Sequence, residues 1–162
     1  MPSRMISSRI LVFYASQTGQ AESISEFIYK EFHSGSLKPV VEELKKTSKT
    51  NDCTVERICA SRFEEQIDFF ENNFQPNFLY LLITVASTTG QGDPPDTALK
   101  FYRYLKRLQR NSKKLNNLPF SHIQFALLGL GDTNYDNFAQ FSKNLNRIFS
   151  ELGAVSFVDT SV

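Results

Sequence analysis

ILVFYASQTGQAESI, from Ile10 to Ile24, changes its structural period part-way along. Ile10 to Ala15 is an unbroken apolar run rich in β-branched and aromatic residues, the pattern of a strand buried on both faces. Ser16 to Gly19 interrupts it with hydroxyls, an amide and a glycine. From Ala21 the apolar residues return at helical spacing, as Ala21, Ile24, Ile28 and Phe32. The passage reads strand, loop, helix.

The same sequence of events recurs twice. Leu79 to Ala86 runs into STTGQGDPPD, Ser87 to Asp96, and then into a stripe of Ala98, Phe101, Tyr102, Leu105 and Leu108. Ile123 to Leu130 runs into GLGDTNYDNF, Gly129 to Phe138, and then into Phe138, Phe141, Leu145, Ile148, Phe149 and Leu152, closed by Gly153 where a helix end favours a left-handed residue. Repeated alternation of this kind predicts an α/β fold around a parallel sheet. In open parallel sheets ligands bind at the carboxyl ends of the strands, so the three loops are expected to converge on one crevice. A second strand is expected near Val55 to Cys59, with Pro39 to Leu44 a competitor for its place, and a fifth over Val155 to Val158. Ser36 to Asp52, rich in Lys, Ser, Thr and Asn and lacking strong periodicity, reads as a surface insertion.

With 162 residues and 41% hydrophobic content, the chain can bury one core and has little room for another. Fifteen Phe and six Tyr fill it without a Trp. Residues 1–8 are expected to be a disordered leader to a single domain over 9–162, with the insertion at 36–53. A formal net charge of +1 gives no global argument for nucleic acid or an anionic membrane, and neither is expected as a partner. Cys53 and Cys59 match no metal or redox spacing, no apolar run reaches membrane-spanning length, and MPSRMISS is too polar for a secretory signal. A cytoplasmic location follows as the expectation.

The first loop, Ser16, Gln17, Thr18, Gly19, Gln20 and Ala21, sets hydroxyls and unhindered amides at a helix start, where orphan N–H groups and the macrodipole favour an anion. A phosphate monoester fits there without a lysine; an ordinary capped helix would need only the Ser or Thr. The P-loop string G-x-x-x-x-G-K-[ST] is absent, and Pro95 and Asn134 stand where a third dinucleotide-binding glycine belongs. In the second loop Ser87, Thr88, Thr89, Gly90, Gln91 and Gly92 can bring backbone amides to a ligand edge, while Pro94 and Pro95 stiffen the wall. The third loop offers Leu130, Gly131, Asp132, Asn134, Tyr135, Asn137 and Phe138, with Tyr135 able to lie against a planar heterocycle for about 1 kcal/mol beyond its area burial. His33 and His122 lie outside these loops, and no Ser/His/Asp grouping or metal spacing competes. Catalysis by side chains is not expected.

On these motifs, QTGQAESI, STTGQGDPPDTALKF and LLGLGDTNY, the chain resembles the FMN-binding, flavodoxin-like domain of the diflavin reductases, the group that includes cytochrome P450 reductase. The resemblance spans essentially the whole chain. It implies a three-layer αβα sandwich on a five-stranded parallel sheet, with the last helix of that fold missing and one sheet face partly uncovered. Ser16 to Ala21 would hold the FMN phosphate, and Ser87 to Gly92 would edge the isoalloxazine and ribityl chain. Leu130 to Phe138 would close the site with Tyr135 stacked on the ring. Gly90-Gln91-Gly92 stands where P450 reductases place an aromatic.

The resemblance further implies one-electron transfer from NADPH to FAD to FMN to an acceptor protein, the FAD- and NADPH-binding half being a reductase domain absent from this chain. The motifs are most similar to members that serve cobalamin-dependent methionine synthase, and next to those of cytosolic iron–sulfur assembly. Asp93, Asp96, Asp132 and Asp136 form an acidic rim able to steer a basic partner surface. One carboxylate about 8 Å from a reduced flavin would disfavour its anionic form by roughly 2 kcal/mol at an effective dielectric near 20. Lys100, Arg103, Lys106, Arg107 and Arg110 gather instead on the third helix, read as a solvated face. Two other classes compete. A phosphoreceiver needs acidic residues where Ala15-Ser16 and Ala86-Ser87 stand; a flavin-free module acting by protein contact keeps the fold without the cofactor.

Overall fold

β1, Ser7–Ala15, is an interior strand with a neighbour on either side, and nearly every side chain along it is buried, as its uninterrupted apolar sequence requires. The computed structural model describes residues 7–47, 53–71, 78–134 and 136–158. Five strands, with β2 at Cys53–Cys59, β3 at Phe78–Ser87, β4 at Ile123–Leu130 and β5 at Val155–Ser156, form one sheet in the order β2-β1-β3-β4-β5. Every pairing is parallel, with Ala15 opposite Ala86 and Ala86 opposite Gly129, so the three glycine- and hydroxyl-bearing loops leave the sheet at one level.

The helices are α1, Gln20–Ser34; α2, Lys38–Thr47; a short α3, Ile67–Phe70, preceded by a 3₁₀ stretch at Ala60–Gln66; α4, Leu99–Leu115; and α5, Gln140–Glu151. Alternation along the strands divides the core in two. Leu11, Phe13, Tyr80, Leu82, Ile123, Phe125 and Leu127 pack with α4 and α5 on one face. Ile10, Val12, Leu81 and Ile83 meet α1 and α2 through Ile28, Phe32 and Val41 on the other. Among the described residues no β4 side chain joins that second cluster, and Ala126 and Leu128 are only half-buried.

Three expectations are corrected. Ser7 and Ser8 are buried members of β1, paired with β3, and not part of a disordered leader; residues 1–6 lie outside the described set. The segment read as an aperiodic insertion is helical from Lys38 to Thr47. Leu37, Val41 and Leu44 recur at helical spacing and pack on the smaller cluster, while Pro39 sits in the first turn, where its missing N–H is harmless. Pro39 to Leu44 therefore takes no strand position. β5 is two residues long and exposed, shorter than Val155 to Val158.

Candidate functional site

Three connections meet at the carboxyl edge of β1, β3 and β4. They enclose an open cleft of about 520 Å³ lined by Gln17, Thr18, Gln20, Ser87, Thr88, Thr89, Leu130, Gly131, Asp132 and Thr133. A cleft of that size is in the range of small-molecule and cofactor sites. A smaller recess of about 90 Å³ adjoins it, bounded by Thr88, Gly90, Gly131, Asp132, Asn137, Phe138 and Ala139.

The first loop turns into α1 through Gly19, whose φ of 95° is left-handed. Ser16 is buried, and its Oγ accepts the Gly19 N–H at 2.9 Å, so this hydroxyl shapes the turn. Among the described residues no side chain caps α1, which leaves its first-turn amides at the edge of the cleft beside Gln17, Thr18 and Gln20. Ala21 is fully buried and anchors the helix from below.

The second loop is a tight turn closed on itself. The Thr89 N–H donates to the Asp93 carbonyl at 2.9 Å and the Asp93 N–H to the Thr89 carbonyl at 2.8 Å, with Gly90 and Gly92 at φ of 48° and 101°. It is stitched to the first loop: the Thr97 hydroxyl donates to the Ser16 carbonyl at 3.0 Å and accepts the Ser16 N–H at 3.2 Å, while the Asp96 N–H donates to Gln17 Oε1 at 3.0 Å. It is stitched to the third as well. The Thr88 N–H donates to the Leu130 carbonyl at 2.9 Å, Asn137 Nδ2 to the Gln91 carbonyl at 2.8 Å, and the Phe141 N–H to Thr88 Oγ1 at 3.3 Å.

Gly131 permits the third loop to fold back: a Cβ there would stand 2.7 Å from the Ala139 backbone nitrogen. Asn134 is exposed, its N–H held by the Asp132 carboxylate at 2.9 Å. Tyr135 lies outside the described residues. Thus Gln17, Thr18, Gln20, Ser87, Thr88, Thr89, Leu130, Gly131 and Asp132 come together in the main cleft, and Gly90, Asn137 and Phe138 line the recess. Ser16, Gly19, Ala21, Gln91 and Gly92 shape the walls from behind, and Asn134 stands outside both. Thr97, Thr133 and Ala139 were missed by sequence reasoning. Thr97 directly follows the rigid DPPD segment, the one local hint of its linking role.

Among the described residues the donor set is hydroxyls, carboxamides and backbone amides, and no Lys or Arg lines the cleft. Such a set can hold an uncharged polar edge and, at the α1 terminus, an anion. Tyr14, at the end of β1, is held as a neutral phenol: burial pushes its pKa up, with Cys59 and Glu22 adding to the effect. Among the described residues no group of three potential metal ligands occurs, and no helix is long and apolar enough to cross a membrane.

Comparison with known proteins agrees with this architecture. The family described as Flavodoxin matches residues 79–161. Methionine synthase reductase of Mus musculus is 34% identical over 152 residues, covering 94% of this chain and 18% of the relative. NADPH-dependent diflavin oxidoreductase 1 of Arabidopsis thaliana is 32% identical over 151 residues, covering 93% of this chain and 20% of the relative. The chain thus spans about a fifth of the length of these relatives. Oxidised flavodoxin 1 from Bacillus cereus superposes with a TM-score of 0.57 over 95% of this chain and 82% of its own, at 18% identity, a likeness of fold.

Proposed function

The chain belongs to the flavodoxin family, whose members hold FMN, and on that footing we propose that the cleft above β1, β3 and β4 is an FMN site serving electron transfer. One observation carries the reading: three loops from parallel strands converge on a cleft that no Lys or Arg lines among the described residues, with an uncapped helix start at one end. When bound, FMN supplies one-electron chemistry that side chains cannot.

The chain's own residues bind and orient. The first-turn amides of α1, with Thr18 and the Gly19 turn, would receive the FMN phosphate. Thr88, Thr89 and the Gly90 to Gly92 backbone would present donors to its ring edge and ribityl chain, Leu130 and Gly131 would close over it, and the sequence motif assigns Tyr135 to stacking. Asp132, with Asp93, Asp96 and Asp136 nearby, keeps the rim negative, which disfavours added negative charge in the cleft and steers a basic partner toward it.

For the whole protein the reading is an NADPH-dependent diflavin reductase, in which this domain receives electrons from an FAD-binding half and passes them singly to an acceptor protein. Methionine synthase is the first candidate acceptor and the iron–sulfur assembly machinery the second, following the order of the two relatives. The free thiols of Cys53 and Cys59 support a reducing, cytoplasmic setting.

Titration of the purified chain with FMN and with riboflavin, followed by visible absorption, tests the site. FMN is expected to bind near one equivalent and riboflavin at least about tenfold more weakly, because only FMN engages the helix amides. A colourless protein that ignores FMN would instead identify a flavin-free interaction module.

A further inference from the structure

Away from the cleft, on the flank formed by α4 and the Ala60–Gln66 stretch, Phe63, Glu64, Lys100, Arg103, Tyr104, Arg107 and Arg110 enclose an open groove of about 350 Å³. No residue lines both this groove and the cleft. Its cations sit at successive turns of one helix face, and the run from Lys100 to Arg110 extends for about 15 Å. Lys100 is paired with Glu64 at 3.6 Å. Arg107 lies over the Tyr104 ring at 5.7 Å, and among the described residues neither Arg103, Arg107 nor Arg110 has a carboxylate in ion-pair range. The floor is aromatic, with the Phe63 and Tyr104 rings 5.0 Å apart. Tyr104 is only 4% exposed and its hydroxyl makes no hydrogen bond of normal geometry, although the Glu71 carboxylate stands near it.

A solvated helix face has no need of three unpaired guanidinium groups along an aromatic-floored groove. In a chain of formal net charge +1, whose carboxylates collect in part at the cleft, this is a local concentration of positive charge. We propose that the groove is a docking site for an acidic helical segment of a partner protein, separate from the cleft. The i, i+4, i+7 spacing of Arg103, Arg107 and Arg110 matches carboxylates placed on successive turns of an opposing helix. Guanidinium forks suit carboxylates in paired geometry. Glu64 and Glu71, standing in and beside the groove, oppose a densely charged phosphate polymer or membrane more than a helix with a carboxylate once per turn.

The test uses the full chain and a fluorescein-labelled amphipathic helix of about 15 residues with Glu along one face, beside a matched peptide with Gln at those positions. The Glu peptide is expected to bind at least about tenfold more tightly than the Gln peptide, and its binding to weaken as salt is raised. Arg103→Glu with Arg107→Glu should reduce the affinity at least about tenfold while FMN uptake stays unchanged. All three arginines are on the surface, and the neutral pair Arg103→Gln with Arg107→Gln serves as the milder variant should charge reversal lower the melting temperature. Equal binding of the two peptides, indifference to both double variants, or no binding at about 1 mM peptide would overturn the assignment. So would tighter binding, per unit charge, of heparin or phosphatidylserine vesicles. FMN uptake is read separately, so loss of the flavin reading would leave this result standing, and the reverse.

Discussion

Gly131 controls how closely the third loop approaches the start of α5. A Cβ at this position would stand 2.7 Å from the Ala139 nitrogen and 3.1 Å from Phe138 Cδ2, a collision with backbone that no rotamer relieves. Gly131→Ala should therefore destabilise the chain by roughly 1–3 kcal/mol and weaken FMN binding, because the backbone must move away from the cleft it lines. Urea unfolding with a parallel FMN titration checks both, and unchanged values would show that the loop has room to spare. Gly19 is required for a different reason. Nothing lies within 4 Å of a Cβ there, but its φ of 95° strains any other residue. Both glycines stand out in the sequence as parts of loop motifs. Which one answers to conformation and which to crowding is not legible, because the neighbour that crowds Gly131 is brought back by the turn that follows. Hydroxyl roles divide in the same way: Ser16 and Thr88 look like equivalent ligand donors in the sequence, yet Ser16 accepts the Gly19 amide and Thr88 the Phe141 amide.

Between elements, a few polar links set how strands and helices meet. Arg9 on β1 donates to Asp68 of α3 at 2.7 Å and to Gln66 Oε1 at 2.9 Å. The hydrogen bond from Arg9, assisted by its charge, holds the Asp68 carboxyl below the usual carboxylate range. A depressed folded-state value means the link contributes stability above the unfolded carboxyl value, about 3.9, and loses it as pH falls through the lower folded value. Asp68→Asn should thus cost up to about 1 kcal/mol at neutral pH, limited by the 68% exposure of the side chain, and nothing once both states are protonated. Urea midpoints of the two proteins compared at neutral and strongly acid pH decide it; a gap that persists in acid would assign the effect to packing. At this scale β1, β3, β4, α1, α4 and α5 are legible because each is long and keeps one period. α2 is masked by Pro39 and the β-favouring pair Val40-Val41, which occupy the first turn of a helix, although Leu37, Val41 and Leu44 carry the helical spacing.

Across the whole molecule the larger face is held by aromatic packing. Phe101 of α4 meets Phe13 of β1 at 4.6 Å, Phe63 at 5.3 Å and Phe70 at 5.4 Å, joining the sheet to three separate segments. Phe101→Ala should cost about 3–5 kcal/mol, since a fully buried ring is removed from neighbours fixed on different elements. Chemical denaturation measures this, and a loss under about 1 kcal/mol would mean the cluster collapses readily into the space. The alternation of apolar runs, hydroxyl- and glycine-bearing loops and amphipathic stripes is local, so the sequence by itself determined the α/β class, the parallel sheet, the single edge where the loops gather and the family. Tertiary structure alone decided which loop atoms remain free to meet a ligand and which cations of α4 stay unpaired above an aromatic floor. Those outcomes depend on partners far apart in the chain, as when Thr97 takes up both backbone groups of Ser16, and hydrophobic periodicity carries no record of such pairings.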